Sequence, residues 1–243
     1  MRRAFIYGGL AMVAMIVFVM GSVTYVLFNI DAVIKNGIED VGSRALKVPL
    51  TVAEAQMSLK TGEGQIVGLR IANPAGFEAG DALHAPLIQL KVDAGKPAGK
   101  AISISELVID RPVMTLDIID GRANWLRLRD GARAWARRAE NPDEAAASGQ
   151  AFVIDQVVLS NGTLILRADF LGAQKLKAPL PDTRIKDIGA ADEGALPADV
   201  ARIITEMLVT AAERASRRFD LEALAAKNGT TTGGLDLTEL LSE

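Results

Sequence analysis

Residues 4–28, AFIYGGLAMVAMIVFVMGSVTYVLF, carry no charge, and such a run has few places to go. As a helix rising 1.5 Å per residue it is about 37 Å long, enough to cross a hydrocarbon core of about 30 Å with some tilt. Arg2 and Arg3 precede it and the next charge is Asp31. The positive-inside rule therefore places the N-terminus in the cytoplasm and the chain from Asp31 onward on the far side. Tyr25 and Phe28 suit an aromatic belt at the outer interface. A cleaved signal peptide is the competing reading. Against it, the run is longer than a signal h-region of about 7–15 residues, and it ends in Tyr25-Val26-Leu27-Phe28 rather than small residues. The expectation is a single-pass protein with residues 1–29 as cytoplasmic tip and anchor.

About 215 residues follow, enough for one large domain or two small ones. A net charge of −3 offers no basic field for nucleic acid, and none is expected as a partner. The chain has no cysteine, which removes disulfides, thiolate metal sites and cysteine nucleophiles, and is compatible with a periplasmic location. His84 is the only histidine, so neither a His–Cys zinc set nor a metal spacing around Asp81 can be assembled. Ser43 and Ser58 lie in no nucleophile elbow, and Gly62-Glu63-Gly64 lacks the further glycine of a dinucleotide loop. Carboxylates brought together from distant strands are the one catalytic arrangement left open. The expectation is a protein without enzymatic activity, cofactor or metal.

Beyond the anchor the period of the pattern changes twice. Ile30, Val33, Ile34, Ile38 and Val41 make a helical stripe, with Asp31, Lys35, Glu39, Asp40 and Arg44 mostly off it, and Pro49 ends the segment. Leu50–Ile71 reads as two strands turned at Thr61-Gly62-Glu63-Gly64. Ile71-Ala72-Asn73-Pro74-Ala75-Gly76-Phe77 reads as a rigid loop, and Pro86 opens a strand over Leu87–Asp93. Asn124–Arg138 holds two tryptophans and many arginines, a short basic helix or loop, and residues 141–150 form a linker by composition. Lys177–Asp182 is too rich in proline for a central strand. Pro197–Lys227 carries a helical apolar stripe through Val200, Ile203, Ile204, Met207, Leu208, Ala211, Ala212, Ala215 and Phe219, and residues 228–243 read as a flexible tail.

The chain also compares with itself. Ile102–Leu116 aligns without a gap onto Phe152–Leu166, an offset of about 50 residues typical of a repeated supersecondary unit. Ile102 and Ile104 share one parity and Leu107 and Ile109 the other, which predicts a bulge or bend in each strand. Asn161-Gly162 predicts a tight hairpin turn. Together these patterns predict an α+β fold over residues 30–227, with a strongly bent antiparallel sheet grown by repeated hairpins and packed by one or two helices.

The order of these pieces resembles the AsmA-like family of bacterial envelope proteins. The resemblance rests on the anchor, on Val67–Phe77 with its Asn-Pro-x-Gly-Phe loop, and on Ile102–Pro112. It continues through Asn124-Trp125-Leu126 and Lys177–Asp182 to Asp187-Ile188-Gly189, covering roughly Met1 to Ser216. Membership implies a curved, elongated sheet with an apolar concave side able to hold acyl chains. It also implies an inner-membrane anchor with periplasmic exposure and a role in lipid traffic or envelope maintenance. Ile88, Leu90, Val92, Ile102, Ile104, Phe152 and Ile154 would then face lipid. The chain departs from the larger relatives in length. About eight strands at 4.8 Å give a sheet only about 40 Å wide, so a conduit would need oligomerisation or partners. The alternative is an assembly module, its apolar face filled by the C-terminal helix and its edges recruiting a second copy or envelope proteins.

Overall fold

The structure, a computed structural model, describes residues 29–93, 95, 101–140, 150–190 and 194–219. Arg2, Arg3, Tyr25, Phe28 and the whole run 4–28 lie outside the described residues, as do most of the linker 141–150, the turn 96–100 and the tail. Among the described residues no helix is long and apolar enough to cross a membrane. Over the described residues the fold is α+β, with three α-helices on an eleven-stranded sheet. The helices are α1 (Ile30–Leu46), α2 (Asn124–Ala139) and α3 (Pro197–Ser216). The strands are β1 (Leu50–Thr51), β2 (Glu54–Met57), β3 (Glu63–Ala72), β4 (Asp81–Val92), β5 (Ile102–Asp110), β6 (Val113–Ile119), β7 (Arg122–Ala123), β8 (Phe152–Ser160), β9 (Thr163–Ala168), β10 (Leu176–Pro179) and β11 (Thr183–Ile188).

Register reduces this list to six long strands, each bent at the same level. β5 and β6 do not pair with one another. Both lie antiparallel to β4, one after the other, from Val92 opposite Ile104 to Leu83 opposite Met114. β8 and β9 likewise form one course, as do β10 and β11, and β1 and β2 follow each other along β3. The ladder is interrupted between Thr51 and Glu54, at Gly68, and between His84 and Leu87, Asp110 and Val113, Ser160 and Thr163, and Pro179 and Thr183. Carried across the pairings, these interruptions put Ala53, Gly68, Pro86, Arg111, Asn161 and Pro181 on one line. Gly68, Arg111 and Asn161 have φ of 64°, 51° and 56°, a left-handed conformation that breaks an extended strand. The line is a crease dividing the sheet into leaf I (β1, the C-terminal part of β3, the N-terminal part of β4, β6, β7, β9, β10) and leaf II (β2, the rest of β3 and β4, β5, β8, β11).

The crease also explains the apolar pattern. Each strand shifts its inward parity there: Leu83 and Ala85 are buried before it and Ile88 after it, Ile109 before and Met114, Leu116 and Ile118 after, Leu159 before and Leu164 and Leu166 after. One extra residue per strand keeps the same face apolar on both leaves. The parity shift expected between Ile104 and Leu107 is present as well, with Lys91 opposite Glu106 but Val92 opposite Ile104.

The expected all-antiparallel sheet is corrected. The two copies of the internal repeat lie side by side and parallel, with Ile102 facing Phe152, Asp110 facing Ser160, Val113 facing Thr163 and Ile118 facing Ala168, a constant offset of 50 residues. Parallel neighbours need a crossover of a dozen or more residues, and residues 120–151, which contain α2, provide it. Asn161-Gly162 is accordingly a crease and not a hairpin turn, and Pro86 lies within β4 rather than at its start. Lys177–Asp182 belongs to an edge, as its prolines require.

All three helices cover the apolar face. Ala45 and Leu46 of α1, Trp125, Leu128 and Ala132 of α2, and Met207, Leu208, Ala211 and Ala212 of α3 share one core with the buried residues of both leaves. Pro197 begins α3 where the missing N–H costs nothing. α1 ends at Lys47, left-handed at φ 57°, whose N–H bonds Ser43 O at 2.9 Å. Its polar side chains have a second use. Asp31, Lys35, Glu39 and Ser43 recur every four residues along one face. Asp31 Oδ1 accepts from Met57 N at 2.8 Å, Glu39 Oε1 from Val52 N at 2.8 Å and Ser43 Oγ from Leu50 N at 2.9 Å, while Lys35 Nζ donates to Ala53 O at 3.2 Å. The helix thus bonds the outer backbone of the edge formed by β1 and β2.

Candidate functional site

Three places in this framework bear on function. The first is the set of strand residues expected to face lipid. Ile88, Ile104 and Ile154 are 7%, 8% and 1% exposed and belong to the core. Leu90, Val92 and Phe152 are half-buried against it, and Ile102 is 37% exposed at the start of β5. The first three share one buried core with residues of the helices, so their side chains offer no surface to an acyl chain.

The second is a clasp on the loop Asn73–Gly80, which joins β3 to β4 at the far end of leaf I. Asp117, on β6, is 1% exposed, and its carboxylate takes hydrogen bonds from Arg167 Nε and Nη2 on β9 and from Asn73 Nδ2. Asn73 Nδ2 also bonds Glu78 O at 2.8 Å, which closes the loop on itself. Asn124, fully buried at the start of α2, donates to Asn73 Oδ1 at 2.7 Å and to Thr115 O at 2.9 Å. Its own Oδ1 accepts from Asp117 N at 3.0 Å and Trp125 N at 2.9 Å. Arg127 Nη1 reaches Ala75 O at 3.0 Å, with its guanidinium 5.6 Å from the Phe77 ring centroid. Arg167 Nη1 contacts Glu78 Oε2 at 2.9 Å. Hydrogen bonding to Asp117 raises the Arg167 pKa above its ordinary value, against the opposing effect of burial. Asp117 and Glu78 both pair with Arg167, and Arg127 rests on Ala75 O and the Phe77 ring, so these side chains hold the loop in place. A cavity of about 160 Å³ adjoins it, between Glu78, Asp117, Arg167, Asp169 and Lys175.

The third is an open trough of about 760 Å³ on leaf II, lined mainly by polar side chains including Glu54, Gln56, Gln65, Gln89, Lys91 and Glu106. Gln56, Gln65, Gln89 and Val108 make one cross-strand row, on the parity opposite to the core. Gln156 Nε2 donates to Glu106 Oε1 at 2.6 Å beside it. Among the described residues no group of three or more His, Cys, Asp or Glu side chains is placed to hold a metal ion.

Sequence reasoning singled out both Asn73-Pro74-Ala75-Gly76-Phe77 and Asn124-Trp125-Leu126 but missed what joins them. Asp117 and Arg167 occupy equivalent places in the two copies of the repeat, 50 residues apart and cross-strand partners. A charged residue at that position in both copies, amid apolar alternation, was the available signal. A scan of known protein families finds no match to this chain, and a search of curated proteins finds none either.

Proposed function

We propose that this chain is an AsmA-like, membrane-anchored module of the bacterial envelope, tethered through residues 4–28 with its bulk in the periplasm. It acts without catalysis, in assembly, by offering surfaces to envelope proteins or to a second copy. The observation that carries the reading is the burial of the apolar face: Ile88, Ile104 and Ile154 belong to one core with residues of the three helices, which leaves them no surface to offer an acyl chain. The clasp supports it too, because a loop held by buried side chains and exposed at Ala75, Gly76 and Glu78 is a rigid recognition element. Lipid handling is the second reading, favoured by the apolar surface around Ile102, Val92 and Phe152.

Native mass spectrometry of the full chain in mild detergent, beside a fragment from Ile30, separates the two. The assembly reading expects a fragment free of phospholipid, with any bound lipid confined to the anchored chain. Phospholipid retained one-to-one on the fragment would overturn it and establish lipid handling. A reporter fused after Glu243 that is active only in the cytoplasm would overturn the periplasmic placement.

A further inference from the structure

Three large apolar side chains are exposed among the described residues: Val33 at 47%, Leu59 at 59% and Ile102 at 37%. They come from three separate segments and lie toward the same end of the fold. Val33 is in the first turn of α1, about 4.5 Å along the axis from Ile30. That turn is fixed to the end of β2 by the bond between Asp31 and Met57. Leu59 lies in the turn that follows Met57, and this turn is tied to the end of β4, with Val92 N bonding Gly62 O at 2.7 Å. Asp93 N in turn bonds Ser103 O at 2.9 Å, beside Ile102. Half-buried Phe152 faces Ile102 across the sheet. The clasped loop is at the other end of β3, whose ten residues span about 30 Å before any bend.

We propose that this end is a membrane-contacting rim, with Val33, Leu59 and Ile102 seated in the interfacial layer of the bilayer that holds residues 4–28. The inference rests on the anchor reading made above and adds the orientation of the domain. The occupant follows from where the undescribed chain enters. The uncharged run stops at Phe28, one residue before Asn29 and two before α1, so a bilayer crossed by that run lies against this end and no other. Headgroup layers add about 5–8 Å on each side of the hydrocarbon core, and Val33 falls within that distance of Ile30. Exposed Lys60 follows Leu59, a placement that lets its ammonium reach the headgroups while its stem lies on apolar surface. The rim holds the domain upright on the membrane and points the Asn73–Gly80 loop away from it.

The absence of cysteine makes the test clean. Single substitutions Leu59→Cys, Ile102→Cys and Ala75→Cys are introduced into the full chain, spin-labelled and reconstituted in phosphatidylethanolamine–phosphatidylglycerol vesicles. Accessibility to oxygen and to a water-soluble nickel chelate is then read by power saturation. The rim expects labels at 59 and 102 to lose accessibility to the chelate and gain it to oxygen, with the label at 75 open to the chelate. If all three behave like 75 while the protein resists alkaline carbonate extraction, the rim is wrong and the anchor stands. If the protein is released by carbonate, the anchor reading fails and the rim falls with it.

Discussion

Replacing Asp117 by Asn keeps the shape of the clasp and removes its negative charge. The carboxylate is 1% exposed and Arg167 15% exposed, so the change leaves a largely buried guanidinium without its principal counter-ion. Removing one member of a buried pair costs about 3–5 kcal/mol. Arg167 keeps Glu78 at 2.9 Å, but that partner is 60% exposed, so the lower end, about 3 kcal/mol, applies. For a chain of this size each kcal/mol moves Tm by about 2–4 °C, giving a fall of about 6–12 °C. The second arm is Asp117→Asn combined with Arg167→Met, which removes the stranded charge. A buried pair is weakly stabilising as a pair, so the double variant regains at least about 1 kcal/mol over the single one. Trp125, 1% exposed and bonded through Nε1 to Thr115 O at 2.9 Å, lies in the network and supplies the fluorescence for thermal melts. Hydrogen exchange adds a local readout, with faster exchange over residues 73–80 in the single variant. A fall in Tm below about 2 °C, or a double variant no more stable than the single, would refute the clasp as an electrostatic lock.

The crease, the pH response and the sealed edge can be tested in the same way. Asn161→Gly keeps the left-handed backbone and loses only the bond from Nδ2 to Asp110 Oδ1 at 3.1 Å, whereas Asn161→Ala adds about 1–2 kcal/mol of strain; in melts alanine is the less stable variant, the reverse of the usual order in a strand. The Asp110 carboxyl is held below its ordinary value first by Asn161 and then by Arg111. Its contribution to stability is therefore complete above about pH 4 and disappears as pH falls through the lowered value; carbon-13 titration reads this, and Asn161→Gly moves the midpoint upward. Asp31→Ala with Glu39→Ala removes two acceptors from the β1–β2 edge at about 0.5–1.5 kcal/mol each. Light scattering then shows self-association of the opened edge, and a variant that stays as monodisperse as the parent would contradict the capping role of α1.

α1 and α3 were legible in sequence because period and punctuation agreed: α1 ends where Pro49 and the stripe predict, and α3 starts at Pro197, whereas the segment that forms α2 read equally as a short helix or a loop. The sheet was legible in part, since β5 and β8 were recognised as copies. Their relation was not. Alternation fixes which face a residue occupies but carries no information on strand direction, and a hairpin is the default connection between adjacent strands. Asn161-Gly162 misled because its left-handed preference serves a turn and a crease equally well. Reading Arg111-Pro112 as the matching position would have helped, because proline after a left-handed residue makes a poor two-residue turn. The clasp was hidden for a different reason. Its members come from four elements, and only pairing at the 50-residue offset brings Asp117 to Arg167.

The two edges of the sheet are closed by different devices, and the difference bears on how such a module can be extended. On the β1–β2 side, α1 occupies backbone groups that another strand would need. On the β10–β11 side the defence lies in the strands. Pro179 and Pro181 have no N–H to donate, and Asp187, at φ 59°, breaks the extended edge. A strand added on the first side would have to displace a helix bonded at Asp31, Lys35, Glu39 and Ser43. One added to β11 need only match the short run Thr183–Lys186. Lateral growth of the sheet, by a second copy or by another protein, is therefore expected at β11 and not beside α1.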